Sequence, residues 1–141
     1  RSILIGLISV IVFIFIIELP IKNIFYIFYA GFFGSFFIAS LGFITGLWAT
    51  KFDHTATVTN FVLQPLSFLS GVFYTIDRLP EFFQSISSVN PFFHIINIFR
   101  YGFLGESDGD LNFGMIYLPL LAIAGWYISY YLYKRGYKIK T

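Results

Sequence analysis

Uncharged hydrogen-bonding and small residues recur along one apolar stretch of the sequence, residues 55–76. They stand three or four positions apart and therefore share one helical face: Thr57, Asn60, Gln64, Ser67, Gly71 and Tyr74. Amide side chains at membrane depth need partners inside a helix bundle or in water, so we expect this face to point inward. The face either joins neighbouring helices by hydrogen bonds or lines a pathway formed by Thr57, Asn60, Gln64 and Ser67.

Residues that could perform catalysis or hold a metal are few and isolated. His54 and His94 each lack a second ligand nearby. Asp108 and Asp110 flank Gly109 but lack the other ligands and the closing glutamate of a calcium loop, so a solvated external turn is predicted there. GxSxG, HExxH and glycine-rich phosphate-loop motifs do not occur. We therefore expect no catalytic residue, no metal site and no cofactor in this chain.

The composition excludes a soluble globule. Of the 141 residues, 57% are hydrophobic and 11% are charged, whereas soluble domains are about 25% charged. The charges fall in small groups between long uncharged runs, and about 20 apolar residues suffice for a membrane-spanning helix. We predict an all-α fold, a polytopic membrane helix bundle with four transmembrane helices over residues 2–19, 24–50, 55–76 and 113–133. The net charge of +2 is too small for a nucleic-acid surface.

The apolar region between the third and fourth predicted spans is interrupted by Asn90 and Pro91. Proline suits the first turn of a helix, and the asparagine before it supplies a capping oxygen. We therefore predict two short helices, residues 80–88 and 91–104, with Gly105 ending the second. Such a broken pair predicts a re-entrant hairpin over residues 80–104, which dips into the membrane from the outer side.

The basic residues set the orientation, because loops rich in Lys and Arg stay in the cytoplasm. Six of the nine basic residues flank one side of the predicted spans, at Arg1, Lys51 and the tail from Lys134 onward. The other three lie on the opposite side: Lys22, Arg78 and Arg100. Both chain ends are therefore predicted to be cytoplasmic. The chain starts directly before an apolar segment, which favours part of a longer protein over a signal peptide.

The second predicted span carries small residues along one face: Gly31, Ser35, Ala39, Gly42 and Gly46. Small residues let helix backbones approach each other closely in lipid, where packing drives helix association. We expect this face to pack against another helix of the same bundle. A dimer contact or a pathway face is the alternative.

One ordered set of residues runs from the third predicted span to the end of the hairpin: Pro65, Ser70, Gly71, Leu79, Pro80, Asn90, Pro91, Arg100 and Gly105. Each piece is weak alone, but their order, followed by one terminal span and a basic tail, is specific. This set resembles the type 2 ABC exporter permease family, and most closely its bacterial members. Thr75 stands where many members have a proline.

The resemblance implies a six-span permease of a bacterial inner membrane, with this chain as its last four spans. It implies a second permease subunit as partner, in a homodimer, and an ATP-binding cassette subunit that holds ATP and Mg²⁺. Family members export drugs, lipid-linked glycans or other hydrophobic cargo. Arg100 would either anchor the second hairpin helix or extend to lipid headgroups. The rival interpretation is a passive membrane scaffold or channel subunit with no ATPase partner.

Overall fold

The structure, a computed structural model, describes residues 2–16, 20–49, 52–72, 75, 78 and 80–135. This part of the chain consists of helices and short connections and contains no strand, so the predicted all-α class is confirmed for it. In chain order the elements are α1 (Ser2–Ile16), α2 (Ile24–Trp48), α3 (Phe52–Val58), a π-helical segment (Thr59–Leu63), α4 (Gln64–Phe68), α5 (Glu81–Val89), α6 (Pro91–Leu104) and α7 (Leu111–Lys134).

Two of the described helices are long and apolar enough to cross a bilayer, α2 and α7. They contain 25 and 24 residues and agree closely with the predicted spans 24–50 and 113–133. α7 begins after Asp110, whose carboxylate accepts hydrogen bonds from the backbone N–H groups of Asn112 (2.9 Å) and Phe113 (3.2 Å). α1 matches the first predicted span over residues 2–16, and residues 17–19 lie outside the described part.

α2 and α7 lie side by side and run in the same direction. Near their starts, the Tyr29 hydroxyl donates to the Met115 carbonyl (2.5 Å). Farther along, Gly125 lies against Ser40, since a Cβ on the glycine would stand 3.0 Å from the serine Cβ. Because the two helices are parallel, the chain between them returns to the end of the bundle at which α2 begins.

α6 packs antiparallel to α2. At its C-terminal end the Gly102 carbonyl accepts a hydrogen bond from the backbone N–H of Asn23 (2.9 Å), just before α2. Toward its N-terminal end Ile95 lies against Gly34 of α2. A Cβ on Gly102 would come within 2.5 Å of Ile27, so the close approach of α6 to α2 requires glycine at this position. The buried core joins α6 to both long helices through Ala30, Ile98 and Leu118.

The predicted break into two short helices is confirmed. Pro80 precedes α5, Asn90 separates α5 from α6, and Pro91 begins α6. Gly105 ends α6 in the left-handed conformation, with φ 76°, which glycine adopts without steric cost. α5 and α6 form a hairpin, which we call the hairpin below. Its second helix lies beside the N-terminal halves of α2 and α7.

A helix interrupted by a π-helical segment, residues 52–68, occupies the place of the third predicted span. We call it the π-interrupted helix. Pro65 has no N–H to donate, and the N–H of Gln64 bonds the carbonyl of Thr59, five residues back. The helix ends at Phe68 and not at residue 76 as predicted. The reason is a turn at residues 69–71, where Gly71 has φ 77°.

Within the described chain, α2 packs through a face next to the predicted small-residue face. The buried residues of α2 are Ala30, Gly34, Phe37 and Ser40. In contrast, Gly31, Gly42 and Gly46 have open space where a Cβ would stand, Ser35 is half-buried and Ala39 is exposed. Packing of the small-residue face against a further helix therefore stays a prediction.

Candidate functional site

Asn90, at the tip of the hairpin, bonds to two helices at once. Its side chain is almost completely buried, with 2% exposed. Oδ1 accepts a hydrogen bond from the N–H of Phe92 (3.0 Å) and so caps α6, while Nδ2 donates to the Leu66 carbonyl in α4 (2.6 Å). The hairpin tip is therefore fixed to the π-interrupted helix by a partly buried hydrogen bond.

Two further hairpin side chains bind the turn that follows α4. The Ser87 hydroxyl donates to the Leu69 carbonyl (2.9 Å), and the Arg100 guanidinium donates to the Gly71 carbonyl (2.6 Å). The last carbonyls of a helix lack partners in the helix itself, and here the hairpin supplies donors for them and for the turn. We call Ser87, Asn90 and Arg100 the clamp. It holds the C-terminal end of the π-interrupted helix against the hairpin.

The loop before α7 is also fixed to α6, next to the clamp. Arg100 forms an ion pair with Asp108, and the two side chains are 22% and 19% exposed. Asn97, which is buried, accepts a hydrogen bond from the backbone N–H of Asp108 (2.8 Å) and donates to the Gly109 carbonyl (3.4 Å). The predicted external turn is therefore folded back onto α6, because two side chains of α6 satisfy its polar groups.

His94 and Tyr117 hold the C-terminal end of α5. The His94 side chain is 2% exposed, and its Nε2 lies 2.8 Å from the Ser88 carbonyl. A carbonyl only accepts, so Nε2 carries the proton, and Nδ1 has no partner among the described residues. Burial lowers the pKa of His94, which keeps the imidazole neutral near pH 7. The Tyr117 hydroxyl of α7 donates to the Val89 carbonyl (2.8 Å).

The polar face of the π-interrupted helix lies on the surface of the described chain. Thr57, Asn60, Gln64 and Ser67 are all exposed, and no residue from 53 to 68 is buried. The hydroxyls of Thr57 and Ser67 donate to carbonyls one turn earlier in their own helix (both 2.8 Å). No part of the described chain buries this face, so any bundle or pathway that covers the two amides includes another helix or subunit.

An apolar groove of about 440 Å³ lies where α4 meets the hairpin tip. Its walls come from both elements: Leu66, Phe82, Ser85, Ile86, Val89, Asn90 and Pro91. The groove therefore lies directly beside the clamp.

The structure brings four of the nine residues of the family pattern together at the clamp. Ser70 is fully buried and donates its hydroxyl to the Ser67 carbonyl, while Gly71, Asn90 and Arg100 bond across the junction. Leu79 lies outside the described residues. Sequence reasoning missed Ser87, Asn97 and Tyr117. Ser87 stands beside Ser85 and Ser88, and Tyr117 is one of 10 tyrosines in the chain, so residue type alone does not mark them.

Comparisons with known proteins agree on one family. A family model described as ABC-2 type transporter matches residues 1–104. The chain is 40% identical over 102 residues to the inner membrane transport permease YadH of Escherichia coli (strain K12), which is 71% of this chain and 39% of that protein. It is 29% identical over 97 residues to nodulation protein J of Rhizobium leguminosarum bv. viciae, covering 69% of this chain and 38% of that protein. No solved structure matches the chain.

The family match extends from α1 through α6 and covers well over half of the sequence. The chain belongs to the ABC-2 type transporter family. It spans about two fifths of the length of the curated relatives that it matches.

Proposed function

We propose that this chain is the C-terminal part of the membrane-spanning permease of an ATP-driven ABC exporter. Its cargo is a drug, a lipid-linked glycan or another hydrophobic substrate. The observation that carries the proposal is the uncharged polar face left exposed on the π-interrupted helix, whose end is clamped to the hairpin. Family membership supports transport, and the inner membrane relative supports a bacterial inner membrane.

We propose that the chain crosses the membrane four times and that the hairpin is re-entrant. The parallel arrangement of α2 and α7 supports an odd number of crossings between them, which makes the total even once α1 is counted as the first span. α6 has 14 residues and is therefore about 21 Å long, which is less than the roughly 30 Å of a hydrocarbon core. The excess of basic residues near Arg1, Lys51 and the tail supports cytoplasmic chain ends.

The pathway is proposed to run along Thr57, Asn60, Gln64 and Ser67. Polar amides on an apolar helix are stable in a membrane only when other protein or water covers them. A second copy of the permease, forming a homodimer, would provide that cover and enclose the substrate. The pathway face carries no charged side chain from Thr55 to Leu69, which suits hydrophobic or uncharged cargo.

Energy is proposed to come from a separate ATP-binding cassette subunit, which binds ATP and Mg²⁺. The sequence contains no glycine-rich phosphate loop with its lysine. ATP-driven closure of two such subunits would move the two permease halves against each other. The substrate pathway would then open alternately toward the two sides of the membrane.

The test is purification of the complete permease with an affinity tag, followed by transport in inside-out vesicles. We expect an ATP-binding subunit to copurify and ATP to drive uptake of a hydrophobic dye. The double variant Asn60→Ala and Gln64→Ala should lower uptake, while Phe61→Leu, a change on the same helix, should not. Dye flux that is equal with and without ATP would support the passive channel. If no ATPase copurifies and no dye flux is measured, the result would support a scaffold.

A further inference from the structure

The two arms of the π-interrupted helix are attached to the rest of the molecule in different ways. The outer arm, α4, ends in the clamp, where Asn90 binds the Leu66 carbonyl in its last turn and Ser87 binds the turn after it. The inner arm, α3, has no buried residue from 53 to 58, and in the described chain it contacts only α2 and the π-helical segment. The outer arm is therefore held by hydrogen bonds from the hairpin. The inner arm is attached to α2 through the rings of Trp48 and His54, 5.5 Å apart, and no buried side chain from 53 to 58 fixes its direction.

The segment between the arms is the weakest part of the helix. Thr59–Leu63 is π-helical and, among the described elements, touches only the two arms on either side of it. Pro65, two residues after its end, cannot donate the backbone hydrogen bond that an α-helix requires there. Helices bend at proline and at π-helical turns because the regular ladder of hydrogen bonds is interrupted.

We propose that Thr59–Leu63 is a hinge, about which α3 turns while α4 and the hairpin remain one body. The hinge divides the polar face, with Thr57 on the moving arm and Gln64 and Ser67 on the fixed arm. Rotation of α3 would bring the two halves of the face into line or separate them. The inner end of the helix could then move without breaking the clamp.

Distances between spin labels in the complete permease test the hinge without any measurement of transport. The chain has no cysteine, so labels attach only at introduced cysteines once any others in the complete permease are removed. One pair joins Thr55 in α3 to Ile123 in α7, and the second joins Phe68 in α4 to the same Ile123. Labelled permease is diluted with unlabelled permease in lipid nanodiscs. We expect the distribution of label-to-label distances for the Thr55 pair to be about twice as wide as that for the Phe68 pair. Equal widths would overturn the hinge.

A deletion tests whether the π-helical segment is the origin of the difference. Removing Phe61 takes out the extra residue of the π turn, and combining the deletion with Pro65→Ala restores the missing donor, so residues 52–68 can form a regular α-helix. We expect the Thr55 distribution to narrow to the width at Phe68, while the matched control Phe61→Leu keeps it wide. If the combined variant is not recovered folded, Pro65→Ala alone, which restores a donor, takes its place with the same expected narrowing. A distribution that stays wide in the folded variant would place the flexibility elsewhere and overturn the hinge. The absence of ATP-driven transport, by contrast, would overturn only the proposed function.

Discussion

The hairpin and the π-interrupted helix both carry amide side chains in apolar sequence, but they use them in opposite ways. Asn90 and Asn97 of the hairpin region are buried, and each makes two hydrogen bonds to backbone groups of the chain. Asn60 and Gln64 of the π-interrupted helix are exposed. The same chemistry therefore fixes the architecture in one region and remains available to a partner or substrate in the other.

The comparison separates stability from function. Removing a buried amide leaves polar backbone groups without partners, which costs free energy whatever the protein does. Removing an exposed amide costs little in the chain itself, so any effect has to come from what binds there. The variants below test this separation, from the largest expected effect to the smallest.

Asn90→Ala should cause the largest loss of stability. It removes the cap of α6 and leaves the partly buried Leu66 carbonyl without its donor, for a combined cost of about 2–4 kcal/mol. Asn60→Ala is the matched control and should change the free energy of unfolding by less than about 0.5 kcal/mol. Thermal unfolding of the purified complete permease measures both. Equal losses of stability in the two variants would mean that protein covers Asn60 as completely as Asn90 in the assembled permease.

Gly102→Ala tests the close approach of α6 to α2. The new methyl group would meet Ile27, including its backbone nitrogen at 3.0 Å, so we expect a loss of about 1–3 kcal/mol. Gly42→Ala is the control, since the chain leaves open space there. The same thermal unfolding experiment compares them. A large loss at Gly42 would show that the small-residue face of α2 packs against a further helix or a second copy.

Arg100→Ala tests the side chain that joins three parts of the molecule. The change leaves the Gly71 carbonyl and Asp108 without their shared partner, and we expect it to cost about 1–2 kcal/mol. Arg100→Lys cannot bind both groups with one planar fork, but it keeps the charge. Its loss of stability should therefore be smaller than that of Arg100→Ala. Chemical denaturation of the two variants shows which of them is less stable. A lysine variant as unstable as the alanine variant would mean that the fork geometry, and not the charge, is what the site requires.

Titration of His94 should give the smallest effect, which is measured through the pH dependence of stability. Its pKa is lowered from 6.5 by burial, so the folded protein binds this proton more weakly than the unfolded protein does. This contribution to stability is therefore complete above about pH 6.5 and decreases as the pH falls toward the lower folded pKa. His94→Gln should remove this part of the pH dependence in unfolding measured between neutral and mildly acidic pH. An unchanged profile in the variant would show that other groups cause the dependence.

The sequence by itself determined where the two helices of the hairpin begin and end, and it placed α7 to within two residues. Proline, asparagine and glycine act within a few residues of their own position, so the breaks at Asn90, Pro91 and Gly105 could be predicted from local chemistry. The long apolar spans also followed from composition, because only apolar runs of that length can cross lipid. The end of the third predicted span was misplaced, since the turn at residues 69–71 is stabilised by the clamp.

Only the tertiary structure decided which polar groups meet. Ser87, Asn90 and Arg100 bind carbonyls that are 18, 24 and 29 residues away in the sequence, and no local pattern specifies such a pairing. The tertiary structure also decided that α2 packs through Ala30, Gly34 and Phe37 and leaves Gly31 and Gly42 open. Both faces of α2 satisfy the same helical periodicity, so the sequence cannot choose between them. The choice depends on the shapes of α6 and α7, which are present only when the chain is folded.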